Sequence, residues 1–216
     1  MKRIPLIIYG GGAFGREVAW LAESCSVGED RFEVVGFVDD VVERHGRLLN
    51  EIPVMGLEEA AARFPDAQIV GAVGSPSARE TMMAKADAHG LQAATLVHER
   101  AERSRWIEIG IGTVICAGNI LTTNIRLGRH VQVNVDCTIC HDVILDDYAT
   151  LAPGVHISGW VHLGKRAYVG TGAVIINGTE KAPMVLGDDA VVGAGACVTK
   201  SVDPGVTVAG VPARAR

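Results

Sequence analysis

The chain has 216 residues, 48% hydrophobic and 21% charged, enough to bury a core and too apolar for a disordered segment. Its formal net charge of −5 gives no reason to expect a general affinity for nucleic acid, and no apolar run reaches the roughly eighteen residues of a membrane span. Met1-Lys2-Arg3 runs straight into a strand pattern, unlike a signal peptide, and five cysteines without scaffold spacing suit a reducing, cytoplasmic setting.

Ile4–Tyr9 reads as a buried strand, followed by Gly10-Gly11-Gly12-Ala13-Phe14-Gly15 and a helix to about Cys25. Glu33–Val38 is a second strand that ends in Asp39 and Asp40. Ala67–Val73 is a third, running into Gly74-Ser75-Pro76, after which Ser77 and Glu80 form a capping box for a helix to about His89. A fourth strand is expected near Ala93–Val97. Strand and helix alternate, which predicts a small parallel α/β sheet, the equivalent of half a Rossmann fold. Gly10-x-Gly12-x-x-Gly15 between strand and helix suits phosphate, because glycine lets backbone approach and the helix N-terminus offers N–H donors. A half-fold suits one nucleotide better than a dinucleotide. Asp39 and Asp40 are placed to accept from a ribose or base, with Gly74 and Ser75 on the same rim; solvated loop acids are the plain alternative.

The charged stretch Glu99–Arg105 precedes a different pattern and divides the chain into residues 1–98 and 99–216. From Ile109 an aliphatic residue recurs every sixth position without a miss: Ile115, Leu121, Leu127, Val133, Ile139, Leu145, Leu151, Ile157, Leu163, Val169 and Ile175. After a five-residue slip the phase resumes at Leu186, Val192 and Val198. Small or β-branched residues stand four positions after many of these, among them Ala149, Ala167, Ala173, Ala190 and Ala196. Helices and simple alternating strands do not repeat every six residues. A short strand plus a corner does, and three such sides close a triangular coil of eighteen residues. The expected fold is a left-handed parallel β-helix of about five coils, stacked about 4.8 Å apart.

His141 is the third residue of its hexapeptide, at a corner. Steps of eighteen, allowing for the slip, align it with Thr123, Gly159, Asn177 and Lys200 on one edge of the prism. A histidine beside a glycine one coil away leaves room for a substrate group, and Asp142 is placed to orient the imidazole as an acid–base group. Other readings of the histidines are weaker. His156 and His162 fall on different sides, so a zinc site would need placement between subunits, and no metal is expected. Cys137-x-x-Cys140 has Cys137 at an inward position and reads as packing. Lys200, Arg214 and Arg216 make the C-terminal end basic, suited to an anionic cofactor, and the interruption at 177–184 leaves the edge that carries His141.

Tyr9-Gly10-Gly11-Gly12-Ala13-Phe14-Gly15, Phe37-Val38-Asp39-Asp40, Ile139-Cys140-His141-Asp142 and Gly210-Val211-Pro212-Ala213-Arg214 together resemble one family over almost the full length. It is that of the hexapeptide-repeat acetyltransferases acting on nucleotide-linked amino sugars or sialic acid. The resemblance implies acetyl-CoA as co-substrate, no metal, and a homotrimer with active sites between subunits. It implies His141 as general base, Asp142 enhancing its basicity, and the Gly159 N–H holding the thioester carbonyl. Thr150, Thr171 and Ala194 would touch the cofactor. The nucleotide would rest on Gly12, Ala13, Phe14, Asp39, Asp40, Gly74 and Ser75. The expected reaction is N-acetylation of a 4-amino-dideoxy sugar, with GDP-perosamine as acceptor. The alternatives are a UDP-linked amino sugar, O-acetylation of sialic acid, a zinc hydratase, or a nucleotide sensor without turnover.

Overall fold

Leu6, Ile7, Ile8 and Tyr9 are fully buried in the C-terminal half of the first strand, β1 (Arg3–Tyr9), in a computed structural model that describes residues 2–216. Met1, part of the N-terminal pattern weighed against a signal peptide, lies outside the described residues. Two units are distinguished, Met1–Glu99 and Arg100–Arg216. In the first, α1 (Ala13–Glu23) follows β1, then come β2 (Ser26–Val27), β3 (Asp30–Val38), β4 (Leu48–Leu49), β5 (Ile52–Met55), α2 (Leu57–Arg63), β6 (Gln68–Gly71), α3 (Pro76–Ala88) and β7 (Gln92–Ala93). The sheet order is β4-β5-β3-β1-β6-β7, with β2 antiparallel to β3, β4 antiparallel to β5, and the other pairs parallel. Gly15 lets α1 lie against the strand end, since a Cβ there would overlap the Gly10 carbonyl oxygen.

Three local expectations change. The fourth strand is two short pieces, β7 and Leu96–Val97. The cap of α3 is Ser75, whose Oγ accepts from the Ala78 N–H at 3.4 Å, and not Ser77: Pro76 starts the helix earlier with its fixed φ. The segment left without elements holds a hairpin, turned by Asn50 and Glu51 at φ 47° and 68°, and the short helix α2.

The second unit is a left-handed parallel β-helix. Its strands are two or three residues long and pair with the strand one coil on: Ile107 with Ile125, Val114 with Gln132, Ile120 with Thr138. Before the interruption after Ile175 each step is eighteen residues, so three faces form. The aliphatic residues from Ile115 to Val198 point inward and are no more than 2% exposed. The corners need left-handed backbone, which recurs in columns: Gly118, Asp136, Gly154, Gly172 and Gly195 form one, and Asn124, Asp142 and Trp160 another. Asn119 stands where most coils have a small residue. It fits because its amide donates to the Cys116 carbonyl at 2.7 Å and accepts from the Cys137 N–H at 2.9 Å.

After Ile175 the chain leaves the prism, closes a small turn between Thr179 and Ala182, and rejoins as Met184 pairs with Val161. The coil also runs past Val198. Val202 bridges to Leu186, and Thr207–Ala209 adds a strand on Val191–Val192, with Arg214–Ala215 folded back antiparallel. The repeat misses this end because Val202 follows Val198 by four residues, not six. Among the described residues no helix is long and apolar enough to cross a membrane.

Candidate active site

His141 lies where the chain turns from the strand Thr138–Ile139 to Ile144–Leu145. Asp142 takes the left-handed conformation of that corner, φ 57°, which a short polar side chain tolerates. The two side chains meet there, His141 Nδ1 and Asp142 Oδ2 being 2.8 Å apart. The other carboxylate oxygen accepts from Asn124 Nδ2 at 3.2 Å, one coil earlier. One coil later Trp160 stands edge-on to the imidazole, with centroids 6.4 Å apart and planes at 81°.

Backbone bonds align the corners. The Asp142 N–H donates to Thr123 O, the Trp160 N–H to His141 O and the Gly178 N–H to Gly159 O. Thr123, His141 and Gly159 therefore share one edge, which continues through Asn177 and, by the Ile175–Val198 register, to Lys200. With Nδ1 paired to a carboxylate, Nε2 is the nitrogen left to take a proton. A Cβ on Gly159 would lie 2.6 Å from Nε2, so any side chain there would displace the imidazole. The Gly159 N–H has no acceptor among the described residues. The bare Gly159 position and the Nε2 side of the imidazole therefore adjoin on this edge.

The expected cofactor residues fall in three places. Thr171 and Ala194 are exposed on the corner column of Gly172 and Gly195, so they and His141 flank opposite edges of one face. Lys200 and Arg214 line a cleft of about 280 Å³ at the C-terminal end. Thr150 is corrected: it stands between Gln132 and Tyr168 on another face and is 1% exposed, so the protomer leaves it no surface for a ligand. A larger cleft, about 480 Å³, is lined by Arg105, Trp106, Glu108, Asn124, Arg126 and Ile144 among others and adjoins the His141 corner through Asn124.

In the first unit, Gly12 caps α1 without a side chain, and Gly12 and Ala13 open a cleft of about 250 Å³. Arg16, Arg44 and Arg47 line it, Arg44 with its guanidinium paired to Asp39, so a helix N-terminus with arginines beside it offers a setting for phosphate. Sequence reading missed these arginines; the signal was Val42–Arg47, three of whose six residues are charged, directly after Asp39-Asp40. Phe14 is half-buried. Asp39 is 7% exposed, and its carboxylate accepts from Gly11 N–H, Val41 N–H and Arg44, so it holds the loops together and is not open to a ribose. Asp40 accepts from Tyr9 Oη and Lys85 Nζ, both at 2.7 Å, and these two donors keep its carboxyl below the usual range. Burial, then Asp40 itself, pushes the Tyr9 phenol well above its ordinary value. Gly74 and Ser75 are exposed at the start of α3, where the Ser75 hydroxyl also serves as the cap.

His130 is buried and stacked on Tyr148, His156 bonds Thr138 at 2.9 Å, and His162 pairs with Asp146 at 2.7 Å. No three His, Cys, Asp or Glu side chains group to hold a metal among the described residues. Cys137 is buried with its thiol pushed up to about 11 by desolvation, so it is a core residue.

A β-helix of six-residue repeats whose corner histidine is paired with a carboxylate and lies against a glycine one coil on belongs to the hexapeptide-repeat class of acyltransferases. Residues 5–86 match the family model of the PglD N-terminal domain. The chain is 33% identical to GDP-perosamine N-acetyltransferase of Escherichia coli O157:H7 over 213 residues, 96% of this chain and 94% of that one. It therefore belongs to the nucleotide-sugar acetyltransferase family. Solved structures agree across the whole length. WeeI from Acinetobacter baumannii AYE superposes with TM-score 0.90 at 34% identity, covering 100% of both chains. A variant of perosamine N-acetyltransferase from Caulobacter crescentus, in complex with CoA and GDP-perosamine, gives 0.86 at 27%, covering 98% and 96%. The acetyltransferase domain of PglB from Neisseria gonorrhoeae FA1090, in complex with acetyl coenzyme A, gives 0.86 at 30%, covering 99% and 100%.

Proposed function

We propose that this chain transfers an acetyl group from acetyl-CoA to the 4-amino group of a nucleotide-linked dideoxy sugar, with GDP-perosamine as the acceptor. The observation that carries the reading is the corner where His141, oriented through Nδ1 by Asp142, turns Nε2 towards Gly159. The amine nitrogen forms the C–N bond to the acetyl carbonyl while its proton passes to Nε2. The Gly159 N–H steadies the developing oxyanion. The C–S bond then breaks, and CoA leaves with the proton that His141 held. No covalent enzyme intermediate is required.

The α/β unit holds the nucleotide. Its phosphates lie at the N-terminus of α1 against Gly12, Ala13 and the three arginines, with Phe14, Asp40, Gly74 and Ser75 at the rim. Thr171, Ala194 and Lys200 hold CoA. Thr171 and Ala194 stand on a different edge from His141, so one protomer does not gather the set, which favours a site shared between copies. The face between those edges exposes Ile120 and Val174, with the paired Thr138 and His156 between them, and it is the face that copies of a homotrimer would share. GDP as the nucleotide and perosamine as the sugar are supported by the relatives' substrates.

Thiol release from acetyl-CoA, measured against GDP-perosamine, a UDP-linked 4-amino sugar and sialic acid, tests the reading. Turnover with GDP-perosamine is expected. Turnover with sialic acid alone would mean O-acetylation, and none with any acceptor would overturn the assignment.

A further inference from the structure

The Asp142 carboxylate has two oxygens and two partners, His141 on Oδ2 and Asn124 on Oδ1. The amide orientation of Asn124 follows from chemistry, because a carboxylate only accepts and the NH₂ must face it. We infer that Asn124 is a positioning residue for the acetyl transfer: its amide locks the Asp142 carboxylate, and through it the tautomer and orientation of His141. The inference rests on the function proposed above.

Three features support it. Asn124 and Asp142 occupy equivalent corners eighteen residues apart, at φ 53° and 57°, so the rigid coil stacking fixes their separation. The Asp142 carboxylate is only a quarter exposed, so a donor on Oδ1 replaces water that would otherwise let it rotate away from the imidazole. Asn124 also lines the 480 Å³ cleft, so it is where that cleft meets the catalytic pair. Asp142 is the charged group that meets His141. Trp160 from the coil after, and Thr123 and Asn124 from the coil before, bring no charge.

Asparagine also suits a left-handed corner for backbone reasons alone. Asn124→Gly separates the two roles, since glycine keeps that backbone and removes the amide. Asn124→Asp keeps the shape and replaces the donor with a second carboxylate. Each variant is measured beside wild type by thiol release across pH and by an NMR titration of the His141 imidazole. In Asn124→Gly, kcat is expected to fall about tenfold to a hundredfold with KM within about twofold. In Asn124→Asp the second carboxylate beside Asp142 shifts the His141 titration upward, and the acidic limb of kcat/KM moves with it. Unchanged kcat in Asn124→Gly, or loss of kcat with the imidazole titration unmoved in Asn124→Asp, overturns the inference. The NMR titration needs no turnover, so a failure of the proposed reaction shows as an inactive wild type while the titration still decides the role of Asn124.

Discussion

Gly159 has to stay bare, because its missing side chain makes room for the imidazole of His141. Gly159→Ala would press a methyl group against Nε2. Its backbone is not left-handed, so the fold tolerates alanine. The expected result is a fall in kcat of about a hundredfold or more with the unfolding temperature within a few degrees of wild type; thiol release and calorimetry check it. A second residue-scale prediction concerns Tyr9, Asp40 and Lys85. The Tyr9 phenol ionises less readily in the folded chain than unfolded, so its stabilisation is complete below pH about 10 and is lost as pH rises above that. Asp40 has the opposite sign: its lowered value stabilises above pH about 4 and is lost as pH falls through it. Tyr9→Phe should flatten the alkaline limb and Asp40→Asn the acid limb of unfolding temperature against pH.

At the scale of the element, the coils depend on one inward aliphatic per side. Leu151→Ala removes a fully buried side chain from a core with no slack and should cost about 2–5 kcal/mol by denaturant titration. Thr179–Pro183 is the opposite case. Removing those five residues restores the six-residue step from Ile175 to Leu186, and the short loop contributes little closure entropy. The deleted protein should therefore unfold within a few degrees of wild type, and a large drop would mean that the excursion is part of the core. The same periodicity explains what could be read from sequence. A β-helix writes its inward face at a fixed spacing, so the edge of Thr123, His141 and Gly159 follows from counting. The hairpin of β4 and β5 gave no such sign, because its turn uses Asn50-Glu51 without the usual glycine. Asn124 and Trp160 were also missed: their roles come from side chains meeting across coils, which spacing alone does not reveal. Thr150 is the converse case, since its burial depends on what packs over it, which spacing does not reveal.

For the whole molecule, the split of the expected CoA residues and His141 between two edges makes assembly part of the account. Ile120→Glu and Val174→Glu would put charge on the face between those edges. Light scattering should show a trimer for wild type and smaller species for the double variant, with activity lost in step. A monomeric wild type with full activity would contradict the shared site. The division of labour between units predicts that Arg16→Ala with Arg47→Ala raises KM for the nucleotide sugar about tenfold or more and leaves KM for acetyl-CoA unchanged.

The most direct measurement is kcat for thiol release at saturating acetyl-CoA and GDP-perosamine, wild type against His141→Ala, with binding of both substrates checked by calorimetry. The account predicts a fall of about a hundredfold to ten-thousandfold with both substrates still bound. A kcat within about threefold of wild type would contradict His141 as the base and, with it, the chemistry assigned to this corner.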